Sequence, residues 1–161
     1  MKIAVISDIH DNLVRLEEAL GYCRNQKIET CICCGDIGEI EGLEIIASTF
    51  RNIYLALGNA DYNLLSKTGL FPKNITWNED VLDLELDGLK LAIVHHDYKA
   101  KDIAKSEKYD VIFYGHTHTP WEKRIGHTLL INPGEIAGQF GQASFAIFNT
   151  ETKKATLRLL T

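Results

Sequence analysis

The chain lacks long apolar runs and any excess of basic residues. A membrane-spanning helix needs about 20 consecutive apolar residues, yet the first apolar run, residues 3–6, ends just before Asp8. That run is also too short for the core of a secretory signal, so we expect no export and a cytoplasmic location. The formal net charge is −5, and no basic patch suits a phosphate backbone. We therefore expect neither a membrane nor duplex nucleic acid as a partner.

A second pair of cysteines and low-complexity segments are missing as well. Glycine (12) and proline (3) are not enriched among the 161 residues, which excludes a typical disordered chain. The four cysteines lie at positions 23, 31, 33 and 34, without the second separated pair of a zinc site. We interpret them as free thiols acting as small hydrophobic side chains. Length alone favours one domain, residues 1–161, with a core that needs no disulfide.

Apolar runs alternate with helical patterns in the first half of the chain. The runs 2–7, 29–34 and 53–57 predict strands, and the segments 13–26 and 42–50 between them predict helices. This alternation is typical of a parallel sheet covered by helices.

Hairpin signals dominate the second half. We expect hairpins over 81–95, 121–131 and 144–160, a strand at 111–114 and a short helix at 99–108. The first hairpin is marked most clearly, because Asp87-Gly88 stands between its two apolar runs. The complete pattern predicts an α/β fold with two sheets packed face to face and helices outside.

Five short polar signatures follow runs of strand character. They are Asp8-Ile9-His10, Gly35-Asp36, Gly58-Asn59, His95-His96 and Gly115-His116-Thr117-His118. Strands that end on one side of a sheet bring such distant residues together. Asp, Asn and His are poor core residues but good ligands for divalent metal ions. We expect both histidines of the last signature to face one way along an extended segment.

The signatures supply two carboxylates, one amide oxygen and four imidazoles. These seven candidate ligands are Asp8, His10, Asp36, Asn59, His95, His116 and His118. A single zinc-like ion prefers about four ligands, whereas two ions that share a bridging carboxylate would use all of them. Nitrogen and oxygen donors without thiolate favour Mn, Fe, Co, Ni or Zn over Mg or Ca. Two such ions about 3.5–4 Å apart can activate a water and clamp a phosphoryl group.

The order D-x-H, G-D, G-N, H and G-H-x-H resembles the motifs of the calcineurin-like metallophosphoesterase superfamily. The resemblance covers residues 3 to about 135, and the short chain is similar to the minimal stand-alone phosphodiesterases of that superfamily. It implies a four-layer α/β/β/α sandwich of two facing mixed sheets with outer helices. It also implies that Asp8, His10 and His118 hold one ion, that Asn59, His95 and His116 hold a second, and that Asp36 bridges them.

Three positions depart from the family pattern, namely 11, 60 and 96. Asp11 follows His10 where the first motif of the family often continues with glycine. Ala60 stands where many members carry a histidine that is thought to protonate the leaving group. Asp61 keeps the acidic position that follows, and we expect it to orient a ligand. His96 replaces the usual glycine after His95 and either is structural or supplies the missing proton. The predicted catalytic residues are Asp36, Asn59, His95, Asp61 and His96.

The resemblance implies a phosphodiesterase in which a hydroxide bridging two ions attacks phosphorus. We expect Mn²⁺ or Ni²⁺ first, with Fe, Co and Zn as alternatives and Mg²⁺ less favoured. The substrate would be a small phosphate ester. Three alternatives remain open: a phosphomonoesterase, a DNA-repair nuclease, and an interaction scaffold on the same fold, as in a subunit of the retromer sorting complex. The acidic charge and the absence of appended domains disfavour the nuclease, and the sequence leaves a homo-oligomer open.

Overall fold

The computed structural model describes all 161 residues. Its strands are β1 (Lys2–Ile6), β2 (Thr30–Cys33), β3 (Asn52–Ala56), β4 (Ile75–Asn78), β5 (Val81–Leu86), β6 (Leu89–Val94), β7 (Val111–Phe113), β8 (Trp121–Ile125), β9 (Thr128–Asn132), β10 (Ser144–Asn149) and β11 (Lys154–Leu159). Its α-helices are α1 (Leu13–Asn25), α2 (Ile40–Thr49), α3 (Tyr62–Leu65) and α4 (Asp97–Ala104), and short 3₁₀ turns cover Asn59–Asp61 and Thr68–Leu70. No helix has the length and apolar character needed to cross a membrane.

The strands form two mixed sheets. The first has the order β11-β10-β1-β2-β3-β4. Strands β1 to β4 are parallel to one another, and β10 is antiparallel to both of its neighbours, β1 and β11. The second has the order β5-β6-β7-β9-β8, in which β6, β7 and β9 are parallel. Parallel neighbours end at the same sheet edge, so the loops after β1, β2 and β3 lie side by side, as do those after β6 and β7.

Side chains alternate across each strand and build three apolar layers. On β1, Ile3 and Val5 join the layer between the sheets, whereas Ala4 and Ile6 face the helices. Helix α1 contributes Leu16, Leu20 and Cys23 to the outer layer of the first sheet. Helix α4 covers the other sheet through Ala100 and Ala104. The predicted α/β/β/α sandwich is therefore confirmed.

The element predictions hold to within a few residues, but the strand β4 and the short helix α3 are missed. The side chain of Asn12 caps α1 by accepting a hydrogen bond from the Arg15 amide at 3.2 Å, as expected for this position. Strand β4 was not predicted, because four residues carry little periodicity and it lies at a sheet edge. All four cysteines are buried and free, as interpreted above.

Candidate metal centre

The predicted site residues converge at the carboxyl ends of the parallel strands. Asp8 follows β1, Asp36 follows β2 and Asn59 follows β3, while His95 follows β6 and His116 follows β7. Backbone hydrogen bonds join these loops, because the Asp8 amide donates to Gly35 O and the Gly115 amide donates to His95 O, each at 3.0 Å. The facing sheets thereby bring two sets of loops to one place.

A first group of donor atoms comes from Asp8, His10 and His118. The two Nε2 atoms of the histidines are 3.4 Å apart, and His118 Nε2 is 3.4 Å from Asp8 Oδ1. His118 Nδ1 donates a hydrogen bond to Glu135 Oε2 at 2.8 Å. In the neutral ring, Nε2 therefore carries a lone pair, and it is directed at other lone-pair atoms. Such a set is suited to a cation.

A second group comes from Asn59, His95 and His116. Asn59 Oδ1 is 3.1 Å from both His95 Nε2 and His116 Nδ1, and those nitrogens are 3.3 Å apart. His95 Nδ1 donates to Cys34 O at 2.7 Å, so the neutral ring directs its Nε2 lone pair at an amide oxygen that can only accept. An amide oxygen and two imidazole nitrogens thus point at one small volume, which is the chemistry of a metal site.

Asp36 lies between the two groups. Its Oδ2 is 3.3 Å from His95 Nε2 and 3.6 Å from His10 Nε2, while its Oδ1 accepts the Ala60 amide at 2.7 Å. One carboxylate oxygen therefore faces both groups, as a bridging ligand would.

The electrostatics of the cluster favour added positive charge. Burial opposes ionisation of Asp36, but His95 beside it holds the pKa of that carboxyl below its usual value. Burial also opposes the charged form of His95, yet Asp36 raises the pKa of the imidazole overall. Asp8 is fully buried, and this burial raises its pKa. A divalent cation would stabilise both carboxylates in their charged forms, so the donor set fits such an ion.

Five of the seven candidate ligands have left-handed backbone conformations. The φ angles are 53° at Asp8, 46° at His10, 55° at Asp36, 68° at His116 and 57° at His118. Asp, Asn and His tolerate this region better than other residues with a side chain. The expectation of an extended segment is wrong for His116 and His118, because left-handed bends there send one ring to each group.

Glycine is required where the loops pass closest to the ligands. A Cβ atom on Gly58 would lie 2.2 Å from Asp36 Oδ1 and 2.8 Å from His95 Nδ1. A Cβ atom on Gly115 would lie 2.7 Å from Asp8 Oδ2. Each side chain would occupy the space of a candidate ligand, which explains the glycines in two of the signatures.

Asp61 lies behind the ligands and contacts backbone amides. Its fully buried carboxylate accepts hydrogen bonds from the amides of Asp36 (2.9 Å), Ile37 (2.7 Å), Gly38 (3.0 Å) and Gly58 (2.8 Å). The carboxylate ties together the loops that carry Asp36 and Asn59. Its place is that of a positioning residue rather than a group that reaches the reacting atoms.

His96 packs beside the second group. Its ring meets those of His95 and His116 edge to face, at centroid distances of 5.0 Å and 4.5 Å, and stacks on Tyr98 at 5.3 Å. A ring nitrogen of His96 lies within 4.8 Å of donor nitrogens of His95 and His116. Burial, followed by the two neighbouring imidazoles, lowers the pKa of His96.

Glu135 is the site residue that the sequence analysis missed. It is fully buried, and besides accepting from His118 it accepts the backbone amides of Gln139, Phe140 and Gly141 at 2.7–2.9 Å. The available signal was an acidic residue directly after the Asn132-Pro133-Gly134 turn. An isolated glutamate in a loop gives no indication from sequence that it is buried.

The chain is similar in sequence and fold to several known proteins. Over 160 residues the chain is 34% identical to Phosphodiesterase MJ0936 of Methanocaldococcus jannaschii, covering 96% of both chains. A solved archaeal phosphodiesterase superposes with a TM-score of 0.90 at 31% identity, covering 99% of this chain and all of that one. Vps29 of Entamoeba histolytica has the same fold, with a TM-score of 0.70 and full coverage of both chains, at only 16% identity.

The family assignment rests on most of the chain. Residues 1–153 match the calcineurin-like phosphoesterase superfamily domain. This span includes all seven candidate ligands and both sheets up to the start of β11. The protein belongs to the calcineurin-like phosphoesterase superfamily.

Proposed function

We propose that the protein is a phosphodiesterase that holds two divalent metal ions at the ends of its two sheets. Asp8, His10 and His118 would hold one ion, Asn59, His95 and His116 would hold the other, and Asp36 would bridge them. The observation that carries the proposal is the position of Asp36 Oδ2, which lies 3.3 Å from His95 Nε2 of one group and 3.6 Å from His10 Nε2 of the other. The name of the 34% identical relative supports the same enzyme class.

Bound ions would supply the hydrolytic chemistry. Two divalent ions at such a site would lower the pKa of water and stabilise charge on the phosphate oxygens during in-line displacement at phosphorus. The residues of this chain prepare the site for that chemistry: Cys34 O orients His95, Glu135 orients His118, and Asp61 fixes the loop of Asp36. The two carboxylates leave such a centre with net positive charge, which favours an anionic phosphate ester.

The position after Asn59 favours diesters over monoesters. Ala60 offers no side-chain proton donor, and its amide is already engaged by Asp36 Oδ1. A diester with a good leaving group needs less protonation of that group as it departs than an ester with a poor leaving group does. Mixed imidazole, amide and carboxylate donors favour Mn²⁺ or Ni²⁺, with Fe, Co and Zn next and Mg²⁺ last. We also propose that residues 1–161 act as one domain.

The first test is metal-dependent hydrolysis. Chelator-treated protein would be assayed on bis-p-nitrophenyl phosphate and p-nitrophenyl phosphate after adding back Mn²⁺, Ni²⁺, Co²⁺, Zn²⁺ or Mg²⁺, with bound metal measured by mass spectrometry. We expect two ions per chain and faster turnover of the diester. Faster turnover of the monoester would instead support a phosphomonoesterase, and two bound ions without turnover would support an interaction scaffold.

Two variants distinguish the loss of a candidate ligand from the general effect of a substitution. Asp36→Ala should lose bound metal and activity together, because it removes the bridge. His127→Ala removes an exposed histidine of the β8–β9 turn, which lies 3.5 Å from Glu107 and away from the ligands, and should change neither quantity. Full activity in metal-poor Asp36→Ala protein would refute the mechanism.

A further inference from the structure

A cavity of about 220 Å³ opens beside the second ligand group. Asn59 and His95 form one part of its wall, and the remaining wall includes Tyr62, Glu79, Asp80, His96 and Lys99. Because two candidate ligands line it, one substituent of a phosphate held at the metal centre can enter the cavity directly. Its lining should therefore select among phosphodiesters.

The volume limits what the cavity can hold. Sites for drug-sized ligands measure about 300–1,000 Å³, so this cavity suits one ester group rather than a whole diester. The other ester group would extend along the opposite side of the centre, where the exposed ring of Phe140 meets His118 edge to face at 4.8 Å.

The charges of the cavity disfavour a second phosphate. Glu79 and Asp80 contribute two carboxylates, whereas Lys99 contributes one cation and already pairs with Asp80. An anionic group would meet net negative charge there. An uncharged group with N–H donors would find carboxylate acceptors instead, as the amino groups of nucleobases do when Asp or Glu binds them.

Three of the four exposed aromatic side chains lie around the centre. They are Tyr62, Tyr98 and Phe140, whereas the fourth, Trp121, lies outside the cavity. Tyr62 lines the cavity with 79% of its surface exposed, and Tyr98 stacks on His96, which is another wall residue. Burying a ring is favourable in water, and an exposed ring in a cleft is a platform on which a planar ligand can stack.

We propose that this cavity binds the nucleobase of a nucleoside-containing phosphodiester, with Tyr62 as the stacking platform and the carboxylates of Glu79 and Asp80 as acceptors. The inference rests on the proposed function and names its substrate class. Hydrolysis would add one water across the P–O bond and release a nucleoside monophosphate and an alcohol or phenol.

The test compares two diesters that share p-nitrophenolate as the leaving group. One carries cytidine at its 5′ oxygen and the other carries ethyl, and kcat/KM would be measured for both with Mn²⁺. Base–aromatic stacking predicts a preference of about five- to a hundredfold for the cytidine ester. Tyr62→Ala should bring this ratio close to one, and Tyr62→Phe should keep it. Trp121→Ala removes an exposed aromatic ring outside the cavity and should leave the ratio unchanged.

A binding measurement separates this inference from the proposed function. Titration calorimetry with Mn²⁺ present would compare cytidine 5′-monophosphate with ribose 5-phosphate, which lacks the base. We expect tighter binding of the nucleotide and loss of that advantage in Tyr62→Ala. Metal-dependent hydrolysis of both esters at equal rates would leave the proposed function standing and overturn the nucleobase site. Equal binding of the two phosphates, or an unchanged ratio in Tyr62→Ala, would overturn it as well.

Discussion

Glu135 accepts a hydrogen bond from His118 Nδ1 at 2.8 Å, and the same carboxylate accepts three consecutive backbone amides of the following loop. His118 Nε2 is thereby directed at Asp8 and His10. The loop that carries Phe140 is fixed by the same group. One buried carboxylate therefore sets both the tautomer of a candidate ligand and the position of the residue at the rim of the site.

Replacing Glu135 should weaken metal binding. Glu135→Gln places an N–H₂ donor next to backbone N–H donors and weakens the hydrogen bond that orients His118. We therefore expect metal affinity to fall about 10- to 100-fold. Competition with a metal-sensitive dye would measure the affinity without any substrate. The matched control is Glu107→Gln, which alters an exposed Glu–His contact at 3.5 Å to His127. Unchanged affinity in a folded Glu135→Gln protein would contradict the positioning role.

Replacing Asp61 should lower the free energy of unfolding. Asp61→Ala leaves four amide donors without their acceptor, and each unsatisfied buried group costs about 1–3 kcal/mol before water enters. We expect a total loss of about 3 kcal/mol or more in urea unfolding. Asp102→Ala, which removes an exposed partner of Lys105, should stay within about 0.5 kcal/mol. A loss below about 1 kcal/mol for Asp61→Ala would contradict this assignment.

His96 should act as a wall residue rather than as the proton donor. Its pKa is lowered by burial and by the imidazoles of His95 and His116, so the ring is neutral at pH 7 and a poor acid. We expect His96→Ala to lower kcat for diesters with p-nitrophenolate and with methoxide leaving groups by the same factor. A much larger loss for methoxide, the poorer leaving group, would identify His96 as the donor that Ala60 lacks.

The cysteines should be unreactive in the folded protein. Burial raises the pKa of Cys23 from 9.0 to about 12, and burial raises the pKa values of the other three thiols as well. At pH 8 a disulfide reagent should label no thiol in the native protein and four in denaturant.

The same shift makes stability dependent on alkaline pH. A thiol with a raised folded pKa stabilises the native state fully below its unfolded value, and this contribution is lost as pH rises from 9.0 towards about 12. Cys23 alone should reduce the free energy of unfolding by about 2 kcal/mol between pH 7 and pH 10.5. Cys23→Ser would show a smaller decrease over this interval. An identical decrease in the variant would contradict the assignment to Cys23.

The sequence predicts the architecture well because the strands of the core are short and strongly apolar. Runs such as Ile3–Ile6 are buried on both faces, and the polar residue that ends each run marks the site edge. The distances that distinguish the two ligand groups do not follow from spacing, because left-handed bends at His116 and His118 send neighbouring rings to different groups.

Residues behind the ligands are the least predictable part of the site. Asp61 and Glu135 are both completely buried, but sequence shows only two acidic residues in loops. Their roles depend on the backbone amides that face them. For Asp61, the amides of Asp36, Ile37 and Gly38 come from a segment 23–25 residues away in the sequence. Burial and hydrogen bonding across loops are properties of the folded chain.

The left-handed conformations at five candidate ligands place the ligand side chains at a cost in folding stability. A residue with a side chain in this region costs about 1–2 kcal/mol relative to the right-handed form, and glycine would relieve that strain while removing a ligand. Selection for stability alone would therefore erode the site first.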